Sequence, residues 1–180
     1  MTERRPGAGK PGEAVSEDEK PTKRAVAFAV HRGGDRETVL AVRRPEDDED
    51  LPGHWGLPAA SLREDESWEE AVLRTGPQKL GVELAVGPQM NEGRADREEY
   101  VLHMRLYDAR IMKGKPEVPR GAEGVTQYTE WEWAPPERLE EAADAGSLCS
   151  ALYLEWRGAW EGREPAYGPE GTAGSRGEGQ

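Results

Sequence analysis

The stretch that most constrains this chain runs from Leu51 to Leu84, LPGHWGLPAASLREDESWEEAVLRTGPQKLGVEL. It reads as a loop, a helix and the start of a strand. Pro52 and Gly53 are turn residues that end any element before them. Ser67 is placed to cap a helix, and Glu69 and Glu70 fall in its first turn, where carboxylates suit the positive end of the helix dipole. Trp68, Ala71, Val72 and Leu80 recur at helical intervals and give an apolar face. Gly81 closes that pattern, and Val82, Glu83 and Leu84 then alternate like a strand. Proline inside a helix removes a backbone hydrogen bond and clashes with the preceding turn, at a cost of about 3 kcal/mol. The helix should therefore kink or split at Gly76-Pro77.

This order of parts resembles the Nudix family, whose signature box is written Gx5Ex7REUxEExGU, with U a bulky aliphatic residue. Aligned on Gly81 and Val82 as the last G and U, Glu66 falls on the first glutamate and Arg74 on the arginine. Trp55-Gly56-Leu57-Pro58 is similar to the tryptophan-and-proline approach to the box. In that family the box is a loop–helix–loop that holds divalent metal against a diphosphate, and its carboxylates serve as metal ligands and base. The resemblance implies an α/β fold, a Nudix-like α/β/α sandwich with a mixed β-sheet. It also implies a small nucleotide-diphosphate-type ligand, with Mg²⁺ or Mn²⁺ as cofactor if the chain is active and no cofactor otherwise.

The frame is kept, but its chemical filling differs. The first glycine of the box is Ala60, and the glutamate after the arginine is Thr75. The aliphatic position is Gly76, and the paired glutamates are Gln78 and Lys79. Magnesium needs hard, anionic oxygen ligands. Thr and Gln oxygens are neutral, and Lys79 brings a positive charge toward the place of the cation. The expectation is a Nudix fold that binds a nucleotide-diphosphate-type ligand with weak or no hydrolysis. The alternative is a divergent metal-dependent pyrophosphohydrolase cleaving a nucleoside diphosphate linked to another moiety. A third reading is a protein-interaction module using tryptophans of the late strand and tail.

Each candidate residue has a competing structural role. If the chain is active, Glu66, Glu70 and Glu99 are the catalytic candidates, with Glu66 and Glu70 as metal ligands. Glu66 otherwise favours the helix dipole, and Glu70 is spaced for an ion pair with Arg74 four residues on. Glu99, outside the box, is a candidate base. Arg43 and Arg44 can fork onto phosphate, and strand alternation allows at most one of them into a cleft. Trp55 can stack on a base or pack in the core. Arg74 completes the ligand-binding candidates, although the family uses this arginine largely to orient carboxylates. The acidic run Glu46 to Asp50 lacks the ligand spacing and turn glycine of a Ca²⁺ loop and reads as a solvated loop. His31, His54 and His103 are scattered and suggest no metal triad.

Composition sets the bounds. The 180 residues suit one domain with tails, read as residues 1–22, 23–157 and 158–180. A net charge of −12 disfavours non-specific binding to nucleic acid or anionic lipid while leaving room for a small nucleotide in a locally basic pocket. The single cysteine, Cys149, excludes an internal disulfide and reads as a small buried helical residue. No run of about 18 apolar residues exists, and no apolar segment follows the basic N-terminus, so a cytoplasmic location is the default expectation.

Along the chain, the Pro-, Gly- and Glu-rich ends are expected to be disordered. Ala25–Val30 and Thr38–Val42 read as a strand hairpin, and Gly87-Pro88 should break the strand that begins at Val82. Asn91–Arg97 reads as a loop, Glu99–Met112 as a long strand and Val125–Trp133 as another. Helices are expected over Glu137–Ala145 and Leu148–Trp156, the second capped by Ser147.

Overall fold

Two apolar runs form the centre of the molecule. In the computed structural model, which describes residues 20–34, 36–118 and 128–158, they lie in β1 (Thr22–Val30) and β2 (Val39–Arg43). The other strands are β3 (Trp55–Gly56), β4 (Ala59–Ser61), β5 (Glu83–Asp96), β6 (Val101–Lys113) and β7 (Glu130–Ala134). The helices are α1 (Trp68–Thr75), α2 (Glu140–Asp144) and α3 (Leu148–Arg157). Most of the expected tails, and residues 125–127 of the expected late strand, lie outside the described residues.

A strand that is apolar on both faces needs cover on both. Ala25, Ala27 and Ala29 of β1 join one buried cluster with α3, while Val26, Phe28 and Val30 join a second with α1. β2 divides the same way, Val39 and Ala41 on the α3 side, Leu40 and Val42 on the α1 side. Helices thus cover both faces of the strands, the α/β/α arrangement expected from the sequence.

The two central strands are not a hairpin. β1 lies in a four-stranded mixed sheet of order β4-β1-β6-β5, and β2 lies in a second sheet of order β3-β2-β7. Between them there is a single isolated bridge, His31 to Val39. Each central strand has two neighbours of its own: β1 pairs antiparallel with β4 and parallel with β6, and β2 pairs antiparallel with β3 and β7. Alternation of apolar residues cannot tell a hairpin partner from a more distant one.

Gly87-Pro88 and Asn91–Arg97 also behave differently from expectation, since β5 runs unbroken from Glu83 to Asp96. Its pairing with β6 shifts register between Val86 and Gln89 and again between Gln89 and Asn91. β5 is an edge strand, so a residue without an N–H is tolerated at such a bulge. The polar stretch is held by neighbours: Asn91 Nδ2 donates to the Leu152 carbonyl at 3.0 Å, and Glu92 accepts from His103 at 2.5 Å and Arg105 at 3.3 Å.

The box helix is built as its sequence directs, then interrupted. Ser67 Oγ accepts from the Glu70 amide at 3.0 Å, and Glu70 Oε1 accepts from the Ser67 amide at 2.9 Å, a reciprocal cap. Ser67→Ala should lower stability by about 1 kcal/mol, visible as a melting temperature lower by about 2–4 °C. Ala71, Val72 and Thr75 are its buried face. At Thr75 the α-helix gives way to a five-residue π turn, Gly76–Leu80. Pro77 has no N–H for the turn before it, and the wider turn accommodates that loss. The turn ends at Gly81, whose φ of 68° is left-handed and suits glycine. No helix among the described residues is long and apolar enough to cross a membrane.

Candidate functional site

A cavity of about 390 Å³ opens between the β4-β1-β6 surface and the N-terminal end of α3. Ala25, Leu102 and Met104 give it an apolar floor, and Ser147, Leu148 and Cys149 bring the start of α3 to its edge. Its charged lining is lopsided: Lys23, Arg44, Lys79 and Arg97 against the single carboxylate Asp50. In a chain of net charge −12, this is a local reversal of sign.

Each cation is positioned by a different element. Lys23 lies at the start of β1, with its ammonium 4.8 Å from the centre of the Tyr100 ring. Arg97 sits in the β5–β6 turn and donates to the Gly146 carbonyl at 3.1 Å. Arg44 follows β2 and pairs with Asp48 at 3.0 Å. Asp48 is itself fixed by the amides of Leu51 (2.8 Å) and Asp50 (3.1 Å). Burial pushes its carboxyl up, but the two amides and Arg44 together hold it below the usual range. The acidic run is thus partly a brace for Arg44. Alternation sends Arg43 elsewhere, to Glu46 and Glu130, both at 2.9 Å, and to the Gly53 carbonyl at 3.0 Å.

Lys79 comes from the π turn. Its Nζ donates to the Ala59 carbonyl at 2.8 Å and lies 5.3 Å from the centre of the Tyr128 ring. Among the described residues it makes no ion pair. Burial, together with the positive charges of Arg44 and Arg74, lowers its pKa from the ordinary 10.5 to about 8, with Asp48 pulling weakly the other way. Tyr128 is buried, and its hydroxyl accepts from the Ala59 amide at 3.1 Å and donates to the Ala59 carbonyl at 3.3 Å.

The two candidate carboxylates of the box, Glu66 and Glu70, are engaged elsewhere. Glu66 receives both arms of Arg74, Nε at 2.7 Å and Nη2 at 2.9 Å, and also the Arg63 amide at 2.8 Å. The Arg74 hydrogen bond holds its carboxyl below the ordinary value. Arg74 further donates to Gln78 at 3.0 Å and to the Ser61 carbonyl at 2.9 Å. The ion pair of Arg74 is therefore with Glu66, eight residues back, and not with Glu70, which is occupied by the cap. Glu99 is exposed in the β5–β6 turn. Trp55 packs against the α3-side cluster with the Arg138 guanidinium 5.4 Å from its ring centre. Trp131 and Trp133 meet edge-to-face at 6.1 Å and pack against the α1-side cluster.

These residues do not fit a divalent metal. Nowhere among the described residues do three His, Cys, Asp or Glu side chains gather as a possible metal site. Glu66 has its oxygens committed to a guanidinium, and an ammonium faces the Ala59 carbonyl. In the sequence Lys79 stands out only as a disturbance of the box, and Lys23, Arg97 and Tyr128 are not among the candidate site residues. Lys23 was within reach, since it shares a strand face with Ala25. Arg97 and Tyr128 carry no such signal, because the approach of their turns is long-range.

The layered mixed-sheet fold and the capped helix beside a charged cleft define a Nudix-type domain. A model of the NUDIX domain matches residues 20–153, and the chain belongs to that family. Among solved structures, the E. coli ORF135 protein is similar, with 19% identity over 86% of this chain and 100% of that one and a TM-score of 0.58. A NUDIX hydrolase from Nitrosomonas europaea shares 13% identity over 87% of this chain and 82% of that one, TM-score 0.57. The MutT protein from Methanosarcina mazei Go1 shares 21% over 68% and 83%, TM-score 0.52. At these identities the likeness is one of fold. A comparison with curated proteins found no match.

Proposed function

We propose that this Nudix domain binds a nucleotide-diphosphate-type small molecule in the cavity and hydrolyses it weakly or not at all. The observation that carries the reading is the cationic wall of Lys23, Arg44, Lys79 and Arg97 around an apolar floor. Arginine forks and lysine ammonium groups are the side chains that recognise phosphate oxygens, and the apolar floor suits a ring. The start of α3 adds the positive end of a helix dipole. Weak hydrolysis follows from the other side of the site. A water attacking phosphorus needs a metal or a free base nearby. Thr75, Gln78 and Lys79 supply neither, and both carboxylate oxygens of Glu66 are taken by Arg74.

The test is a panel of ADP, ADP-ribose, UDP-glucose and inorganic pyrophosphate. Binding is followed by titration calorimetry, and turnover by phosphate release with Mg²⁺ and with Mn²⁺. The expected result is saturable binding of at least one diphosphate and no turnover above background. Turnover that disappears in Glu66→Gln would establish the hydrolase instead.

A further inference from the structure

We propose that the Lys79 ammonium is the resident cation of this cleft, so that a diphosphate is held directly on it with no divalent metal. The inference rests on the diphosphate-binding reading and adds the identity of the charge that meets the ligand.

Four observations converge on Lys79. First, its position in the box is one where the family resemblance implies an acidic metal ligand, so the chain has exchanged an acid that attracts a cation for a cation itself. Second, the π turn aims it inward. Gln78, four residues beyond Arg74, pairs with it, and Lys79, next in the turn, lines the cavity wall. Third, its hydrogen bonding among the described residues leaves donors to spare. An ammonium has three donors, and one goes to the Ala59 carbonyl at 2.8 Å. Fourth, no carboxylate pairs with it among the described residues, and of its charged neighbours Arg44 and Arg74 repel it more than Asp48 attracts it. A half-buried ammonium without a carboxylate of its own is poorly compensated until an anion arrives. Diphosphate oxygens supply that anion, and Arg44 stands on the same cavity to share it.

The same arrangement opposes a metal. A divalent ion beside the Ala59 carbonyl would have to displace the ammonium and sit near two guanidinium groups. Lys79 is therefore both the ligand's counter-charge and the reason that the metal is dispensable.

The experiment has a metal arm and a ligand arm. In the first, Mn²⁺ alone is titrated and followed by electron paramagnetic resonance. Wild type should leave Mn²⁺ free, and the double variant Gln78→Glu/Lys79→Glu should bind it. Wild type that binds Mn²⁺ as tightly as the double variant would overturn the proposal. In the second, ADP and pyrophosphate are titrated in EDTA and again with Mg²⁺. Binding in EDTA should be within a few-fold of binding with Mg²⁺. Lys79→Met should weaken it tenfold or more, and Lys79→Arg should retain most of it, with thermal melts confirming that each variant is folded. Binding only with Mg²⁺, or a folded Lys79→Met that binds as wild type does, would overturn the role of Lys79 while leaving the ligand class intact. Binding of neither probe under either condition would overturn the ligand class and the proposal with it.

Discussion

Replacing Lys79 with methionine should raise the melting temperature at pH 7 by about 2–8 °C while removing the diphosphate-binding charge. Burial and two neighbouring arginines lower the folded-state pKa of Lys79 from 10.5 to about 8. At 1.36 kcal/mol per pH unit this is of order 3 kcal/mol, and solvent reaching a half-buried group reduces it to roughly 1–2 kcal/mol. The sign is destabilising for the charged form. Between about pH 8 and 10.5 the unfolded chain holds a proton that the folded chain has released, so stability rises with pH across that window. The penalty is complete below pH 8 and relieved above 10.5. Methionine keeps an unbranched apolar side chain without the charge, and Ala59 retains the Tyr128 hydroxyl as a donor. Thermal melts of wild type and variant at pH 7 and pH 10 check this: the advantage of the variant should shrink at the higher pH. A variant less stable than wild type at pH 7 would mean that the ammonium is a structural strut.

The second large effect is at Gly76. A β-carbon built there would lie 2.8 Å from Cγ and Cδ1 of Leu84 and 2.8 Å from the Val82 carbonyl oxygen. Leucine can shift, but the carbonyl belongs to the backbone at the start of β5. Gly76→Val should therefore destabilise by at least about 1–3 kcal/mol through overpacking. Because Gly76 opens the turn that carries Lys79, it should also weaken pyrophosphate binding beyond what the loss of folded protein explains. Chemical denaturation gives the first quantity, and calorimetry corrected for the folded fraction gives the second. A fully stable Gly76→Val would contradict the close packing of the turn.

The apolar runs of β1 and β2, the Ser67 cap, the break at Gly76-Pro77 and the Ser147 cap could all be read from local sequence. Each is governed by residues a few positions apart. The hairpin expected between β1 and β2 failed because periodicity records which faces are buried and not which strand lies alongside. The unbroken β5 was hidden because its polar residues are satisfied by Leu152, His103 and Arg105, all distant in sequence. At the site, the altered box was legible as a loss of acids. That Lys79 reaches the Ala59 carbonyl depends on a π turn and a sheet register that no spacing rule gives. The partnership of Arg74 with Glu66 likewise needs the loop before α1 to fold back on the helix, where helical spacing alone suggested Glu70.

The most direct measurement is an NMR titration of the Lys79 side chain, with its ε-methylene signal assigned by comparison with Lys79→Arg. In EDTA the free protein should show a midpoint near pH 8, and saturating pyrophosphate should move that midpoint up toward the ordinary lysine value. A midpoint that pyrophosphate leaves unmoved, although calorimetry shows it bound, would contradict the account.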